Sequence, residues 1–260
     1  MLYLLNSKAW VNLSEKDIRG LEQTDEILLS RILEAESNTS NTFKYLELGI
    51  MPVRFEIMKR TIIFLQYILK QEKTTMIHKV FKATCDSPIK KDFVSVCQKY
   101  LKDLKIELSF SEIEKMGNWN FKNLVKEKTK LAAFEYLIKQ QKKQTKIDHI
   151  EYFGLEMQEY LLSGNKNTEL SKVIFKARSN TLDVKINKRW KYEDVMCIGC
   201  QVKEESGEEL MNCESYGEIG EETENISYKM FYGESNSDMF LAASKIKKRL
   251  KRRQVIMDND

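Results

Sequence analysis

The chain has 260 residues, 42% hydrophobic and 32% charged, with a formal net charge of +4: enough for one large domain or two small ones with a highly charged surface. Two prolines and ten glycines are few for an all-β protein with many tight turns, and Lys, Glu, Leu and Ile favour helices. No apolar run approaches the roughly 20 residues that cross a bilayer. The opening "LYLLNSKAW" lacks the charged start and cleavage site of a signal peptide. These features place the chain inside the cell with no membrane partner. The five cysteines, an odd number, then read as reduced thiols or metal ligands rather than disulfides.

Ser14 and Asp17 have the spacing of a helix start, and Ile18, Leu21, Ile27, Leu28, Ile32 and Leu33 recur at helical spacing until "ESNTSNT" interrupts them. Gly49 suits a helix C-terminus and Pro52 the first turn of the next helix. Ile57, Met58, Ile62, Phe64, Tyr67 and Ile68 predict an apolar helix to about residue 71. Further helices are expected over 73–84, 88–104, 110–117 and 119–142. In the last of these Phe121, Leu124, Val125, Leu131, Phe134 and Leu137 form the stripe to be buried. "KKQTKIDH" (142–149) reads as a linker, followed by two helices joined near Gly164 and a final helix over about 236–253. The fold class is all-α: a multi-helix, bundle-like array with a small CxxC hairpin near the C-terminus, resembling a zinc knuckle.

Little of this assembles catalytic chemistry. There is no Asp-Asp pair, no GxxxxGK[ST] loop, no GxSxG elbow and no HExxH helix. His78 falls on a helix beside Ile77 and Val80 and reads as a half-buried structural histidine. His149 falls in the expected linker and reads as exposed. Cys85 and Cys97 lack ligand spacing and read as small core residues. The chain as it stands is not expected to be an enzyme.

The other three cysteines do have ligand spacing. "CIGCQVKEESGEELMNC" carries Cys197, Cys200, Glu209 and Cys213 as C-x2-C-x8-E-x3-C. A carboxylate can join three thiolates on zinc at about 2.0–2.2 Å. A CxxC turn, a loop and a short helix would bring positions 209 and 213 to one face. The other reading is a hairpin from which zinc binding has been lost. Basic residues cluster at 122–130, 139–146, 172–178, 185–191 and 245–253. The last, "KIKKRLKRR", has seven basic residues in nine. Such a run is either a solvated helix face or a nuclear-import signal or phosphate-binding arm.

The segment "FKARSNTLDVKINKRWKYEDVMCIGCQVKEESGEELMNC" (175–213) resembles the C-terminal region of non-LTR retrotransposon reverse transcriptases. There an R-S-R-T-L-D-V-K-x-N segment precedes a C-x2-C-x8-H-x3-C zinc motif. "LLNSKAWVNLSEKDIRGLEQTDEILLSRIL" (4–33) resembles the stretch past that family's catalytic palm. "YLELGIMPVRFEIMKRTIIFLQYIL" (45–69) and "FKNLVKEKTKLAAFEYL" (121–137) resemble helices that follow, and the terminal basic helix its closing one. In two places the chain departs from the pattern: Glu209 stands where the family has His, and Asn180 where it has the second Arg. The fingers and palm with their catalytic aspartates, and any endonuclease domain, are not in this sequence.

The resemblance implies five segments: a thumb-like helical segment (1–40), a helical linker domain (41–147), a helical pair (148–194), a degenerate CCHC-like zinc motif (195–216), and an acidic loop with a basic C-terminal helix (217–260). It implies zinc as the cofactor, RNA or DNA as the partner, a polymerase portion upstream and the nucleus ahead of the cytoplasm. The residues expected to meet nucleic acid are Arg178, Lys185, Lys188, Arg189, Trp190, Lys191, Lys247, Lys248, Arg249, Lys251, Arg252 and Arg253. Trp190 would either stack on a base or pack beneath the hairpin. The function expected is non-catalytic nucleic-acid binding by a retroelement remnant. The alternatives are a helical protein-interaction module or a translated relic without function.

Overall fold

A computed structural model describes residues 13–86, 92–162, 164–216 and 236–259. Among these residues the fold is all-α, with eleven α-helices, two 3₁₀ turns and no strand beyond one isolated bridge. The acidic stretch expected at 217–235 lies outside the described residues. The chain forms two compact units, residues 1–27 with 50–139 and residues 28–49 with 140–260. These boundaries cut across the five segments expected from the sequence.

In the first unit, α1 (Glu15–Ile32) begins as expected: Ser14 Oγ accepts from Asp17 N, and Ser14 N and Oγ donate to Asp17 Oδ2. Ile18 packs on Val53 and Ile57 of α3 (Val53–Leu69). Leu21 packs against the same residues and Leu33 is partly buried, as expected, but Ile27, Leu28 and Ile32 are corrected: they are exposed, and Leu29 is buried. Pro52 sits one place earlier than expected, as the N-cap of α3. The main core joins α3 to α4 (Met76–Asp86), α5 (Phe93–Asp103), α6 (Phe110–Lys115) and α7 (Asn118–Gln141), around Ile62, Leu65, Cys97, Leu104, Ile113 and Phe121. Cys97 is a small core residue, as expected, and Cys85 packs at the edge of the same core. Leu131, expected in the buried stripe of α7, is exposed. Thr129 and Ala133 occupy the inner positions, and Thr129 Oγ1 satisfies itself on the Val125 carbonyl.

The second unit is organised around a buried carboxylate. Helix α2 (Asn41–Leu48) is capped by Ser40 and closed by Gly49 at φ 62°, where a Cβ would lie 2.3 Å from the backbone of Glu156 and Met157. It presents Glu47, fully buried, to four donors. Tyr152 and Tyr160 donate their hydroxyls, and Arg178 donates Nε at 3.2 Å and Nη2 at 3.0 Å. Tyr160 belongs to the one-turn helix α8 (Glu159–Leu162), and Arg178 ends α9 (Gly164–Arg178). Asn180 then closes α9 at positive φ, with Thr181 N bonded to the Lys176 carbonyl.

The expected linker at 142–149 is an irregular, mostly exposed loop that is anchored to this unit's core at one residue. Ile147 is buried, Gln141 Nε2 donates to the carbonyls of Ile147 and Ile150, and Gln144 pairs with Ser40 and Thr42. A charged, polar octapeptide with one apolar residue reads as a loop, but that residue and two glutamine amides anchor it.

Removing one member of a buried, hydrogen-bonded ion pair leaves the other charge uncompensated, at a cost of about 3–5 kcal/mol. Glu47→Gln should therefore lower the stability of the second unit by roughly that amount, read as a shift in denaturation midpoint. A loss below about 1 kcal/mol would show the pair to be replaceable by neutral contacts.

Candidate metal centre

After Thr181 the chain turns through a 3₁₀ segment (Lys185–Lys188) into the cysteine region. Met196 and Glu204 form an antiparallel bridge, with Cys197 N bonded to the Lys203 carbonyl at 2.7 Å and Glu205 N to the Val195 carbonyl at 2.7 Å. Between these arms the chain makes a tight knuckle, with Gln201 at positive φ and its N–H on the Cys197 carbonyl. Gly199 permits the close approach of the next segment. A Cβ there would meet the Ser215 Cβ at 2.8 Å and the Tyr216 ring at 3.1 Å. Helix α10 (Gly207–Asn212) follows, capped by Ser206 Oγ accepting from Glu209 N, and it ends at Cys213. Glu209 and Cys213 thus share one face, as the spacing predicts.

The three thiol sulfurs and a Glu209 carboxylate oxygen all lie within 4.8 Å of one another and could hold a metal ion. Cys197 Sγ is 3.7 Å from Cys213 Sγ, and Cys200 Sγ is 3.3 Å from Glu209 Oε1. Cys197 and Cys213 are buried, while Cys200 is partly exposed. The backbone N–H groups of Val202 and Lys203 draw the Cys200 thiol below its ordinary value. Burial pushes the Cys213 thiol up to about 12. The ammonium of Lys203 lies 3.8 Å from Glu209 Oε2 and offsets part of the anionic charge.

Behind the sulfurs stands a second set of polar groups that sequence reasoning missed. Tyr216 Oη is 3.4 Å from Cys197 Sγ, accepts from Gly199 N at 3.1 Å and lies 3.3 Å from Glu205 Oε2. Glu205, fully buried, accepts from Lys185 N at 3.0 Å and from Arg253 Nε at 2.7 Å. Arg249 Nη1 donates to the carbonyls of Cys213 (2.7 Å) and Leu210 (3.3 Å), and Arg252 Nη1 to that of Tyr216 (2.8 Å). Both buried arginines come from one face of α11 (Asn236–Asn259), which also buries Ala242 and Ile246. The spacing 242, 246, 249, 253 is helical and is the one signal in the sequence that marks this face as inward. Glu205 carries no such signal, since it sits in an acidic run that reads as surface.

The basic residues expected to meet nucleic acid therefore divide. Arg178, Arg249 and Arg253 are corrected to structural roles: each is buried with its guanidinium on an internal carboxylate or carbonyl. Lys185 is buried too, its ammonium 3.5 Å from Asp194, and Arg252 is part-buried on Tyr216. Lys188, Arg189 and Lys247 reach the surface and form ion pairs with Asp183, Glu204 and Glu169. Lys191, Lys248 and Lys251 are exposed. Trp190 is 80% exposed, which overturns packing beneath the hairpin. His78 is part-buried and His149 exposed, both as expected, and neither belongs to the cluster.

No helix among the described residues is long and apolar enough to cross a membrane. Compared with protein-family models, curated proteins and solved structures, the chain matches none.

Metal binding takes thiolates, so a Cys213 thiol held near 12 must release its proton when a metal ion enters. Acid restores that proton and competes with the metal. Affinity should fall as pH falls, on the order of tenfold per pH unit for each proton displaced. Calorimetry in buffers of differing ionisation enthalpy counts the protons. A metal affinity flat between pH 8 and 6 would exclude thiolate ligation.

Proposed function

We propose that the second unit is a zinc-organised module that binds single-stranded nucleic acid without catalysing a reaction on it. We also propose that it corresponds to the C-terminal region of a retroelement reverse transcriptase, with the resemblance of 175–213 as the support. Zinc fits the cluster on geometric grounds. Two thiolates on a tetrahedral zinc at about 2.3 Å stand roughly 3.8 Å apart, against 3.7 Å between Cys197 and Cys213. A thiolate and a carboxylate at about 2.3 and 2.0–2.2 Å stand roughly 3.6 Å apart, against 3.3 Å for Cys200 and Glu209. Glu209 in place of a neutral imidazole takes the formal site charge from −1 to −2, which Lys203 partly offsets. The thiolates then supply most of the affinity.

The observation that carries nucleic-acid binding is Trp190. A large ring 80% in water costs hydration free energy and supports no core. It lies between Arg189 and Lys191, both exposed, seven residues before the first thiolate. A flat apolar face flanked by cations is what base stacking with phosphate contact requires. Lys248 and Lys251 add exposed charge on α11.

Base–aromatic stacking contributes about 1–3 kcal/mol per base. Trp190→Ala should thus weaken binding of an oligouridine by about 5- to 150-fold with little change in salt dependence. Lys191→Ala should flatten the salt slope instead. Wild-type and Trp190→Ala chains of equal affinity at every salt concentration would defeat the proposal.

A further inference from the structure

We propose that Cys200 is a site of oxidation by hydrogen peroxide and that Cys197 captures the oxidised sulfur as a disulfide, in competition with metal binding. The oxidation stands on the sulfur geometry alone; the competition rests on the zinc reading above.

Of the five free cysteines, Cys97, Cys197 and Cys213 are buried, while Cys85 and Cys200 reach solvent in part. Their surroundings separate those two. Burial, with the carboxylates of Asp86 and Asp92 nearby, pushes the Cys85 thiol up and withholds its reactive anion. At Cys200 the backbone N–H groups of Val202 and Lys203 bond the sulfur, and Glu209 Oε1 stands 3.3 Å away to take the thiol proton. The Lys203 ammonium, 3.8 Å from Glu209 Oε2, limits the repulsion between that carboxylate and negative charge on the sulfur. A partly exposed sulfur under amide donors, with a second thiol in reach, is what peroxide oxidises selectively.

The second thiol is that of Cys197, three positions earlier on the same knuckle. Its side chain hydrogen-bonds that of Cys200, and the ligand atoms of the cluster lie within 4.8 Å of one another. Cys213, at the end of α10, has Cys197 rather than Cys200 as its sulfur neighbour, at 3.7 Å. The capture therefore falls to Cys197, and Cys213 stays a thiol.

The chemistry takes two steps. The Cys200 sulfur attacks one peroxide oxygen: an S–O bond forms, the O–O bond breaks, and the departing hydroxide leaves as water with the thiol proton. The Cys197 sulfur then attacks the sulfenic sulfur: the S–S bond forms, the S–O bond breaks, and a second water carries away the Cys197 proton. Two thiols and one hydrogen peroxide give one disulfide and two waters, with the two sulfurs together losing two electrons. The disulfide removes two of the three thiolates that a metal would use, leaving Cys213 and Glu209. A metal on those sulfurs would in turn occupy the electron pairs that peroxide needs.

The test treats the full chain with hydrogen peroxide in two states, chelated and zinc-loaded with metal content measured, and maps the products by digestion and mass spectrometry. The chelated chain should yield a peptide in which Cys197 and Cys200 are joined, two hydrogens lighter and resistant to alkylation until reduced. Cys200 should react at least about tenfold faster than Cys85, and bound zinc should slow it by at least about tenfold. Cys197→Ser should stop at the sulfenic acid, trapped on Cys200 by dimedone, and Cys200→Ser should form no disulfide. Equal rates at Cys85 and Cys200 overturn the assignment of the site. A cross-link from Cys200 to the peptide bearing Cys213 overturns Cys197 as the capturing thiol. Zinc that binds without slowing the reaction overturns the competition. A chain that takes up no zinc yet forms the disulfide removes the zinc reading and leaves the oxidation site standing.

Discussion

The carboxylate of Glu205 is the contact on which the C-terminal half of the molecule depends. It is fully buried and receives the Arg253 guanidinium from α11, the Lys185 amide from the 3₁₀ turn and the Tyr216 hydroxyl from behind the sulfurs. An isolated carboxylate at that depth would be strongly disfavoured. Its tolerance there requires all three donors, and each donor belongs to a different stretch of chain. The result is a constraint on register. The cysteine loop, the segment bearing Trp190 and the C-terminal helix must close together or not at all.

Glu47, far earlier in the sequence, repeats the same physics with Arg178, Tyr152 and Tyr160 as donors. Buried ion pairs of this kind specify arrangement more than they add stability. They also remove charge from the surface. A chain with several basic clusters reads as one broad phosphate-binding surface, yet its most enclosed arginines bond internal carboxylates and carbonyls. Outside that set, Arg189 and Lys191 stay exposed on either side of an exposed tryptophan.

The helices and their capping were largely legible. Ser14 and Gly49 act where their chemistry predicts, and the C-x2-C-x8-E-x3-C spacing did place four ligand atoms together. Helical periodicity failed at Ile32, the last residue of α1, and at Leu131, in the middle of α7, both of which are exposed. It also gave no hint that 142–149 would be fixed, because a single isoleucine and glutamine amides carry no period. The deepest gap concerned charge. A basic run is the same string whether its arginines face water or carbonyls. Only the i, i+3 and i+4 alignment of Arg249 and Arg253 with Ala242 and Ile246 separates the two.

If Glu205 binds these stretches into one unit, Glu205→Gln and Arg253→Met should not act independently. Unfolding of wild type, both single variants and the double variant gives their coupling directly. The account predicts that each single substitution destabilises strongly and that the double is scarcely worse than either. The interaction energy should be at least about 1.5 kcal/mol, well above the few tenths seen between independent sites. Effects that add within about 0.3–0.5 kcal/mol would show that the carboxylate and the guanidinium are held by other contacts, and that Glu205 does not fasten the helix to the metal loop.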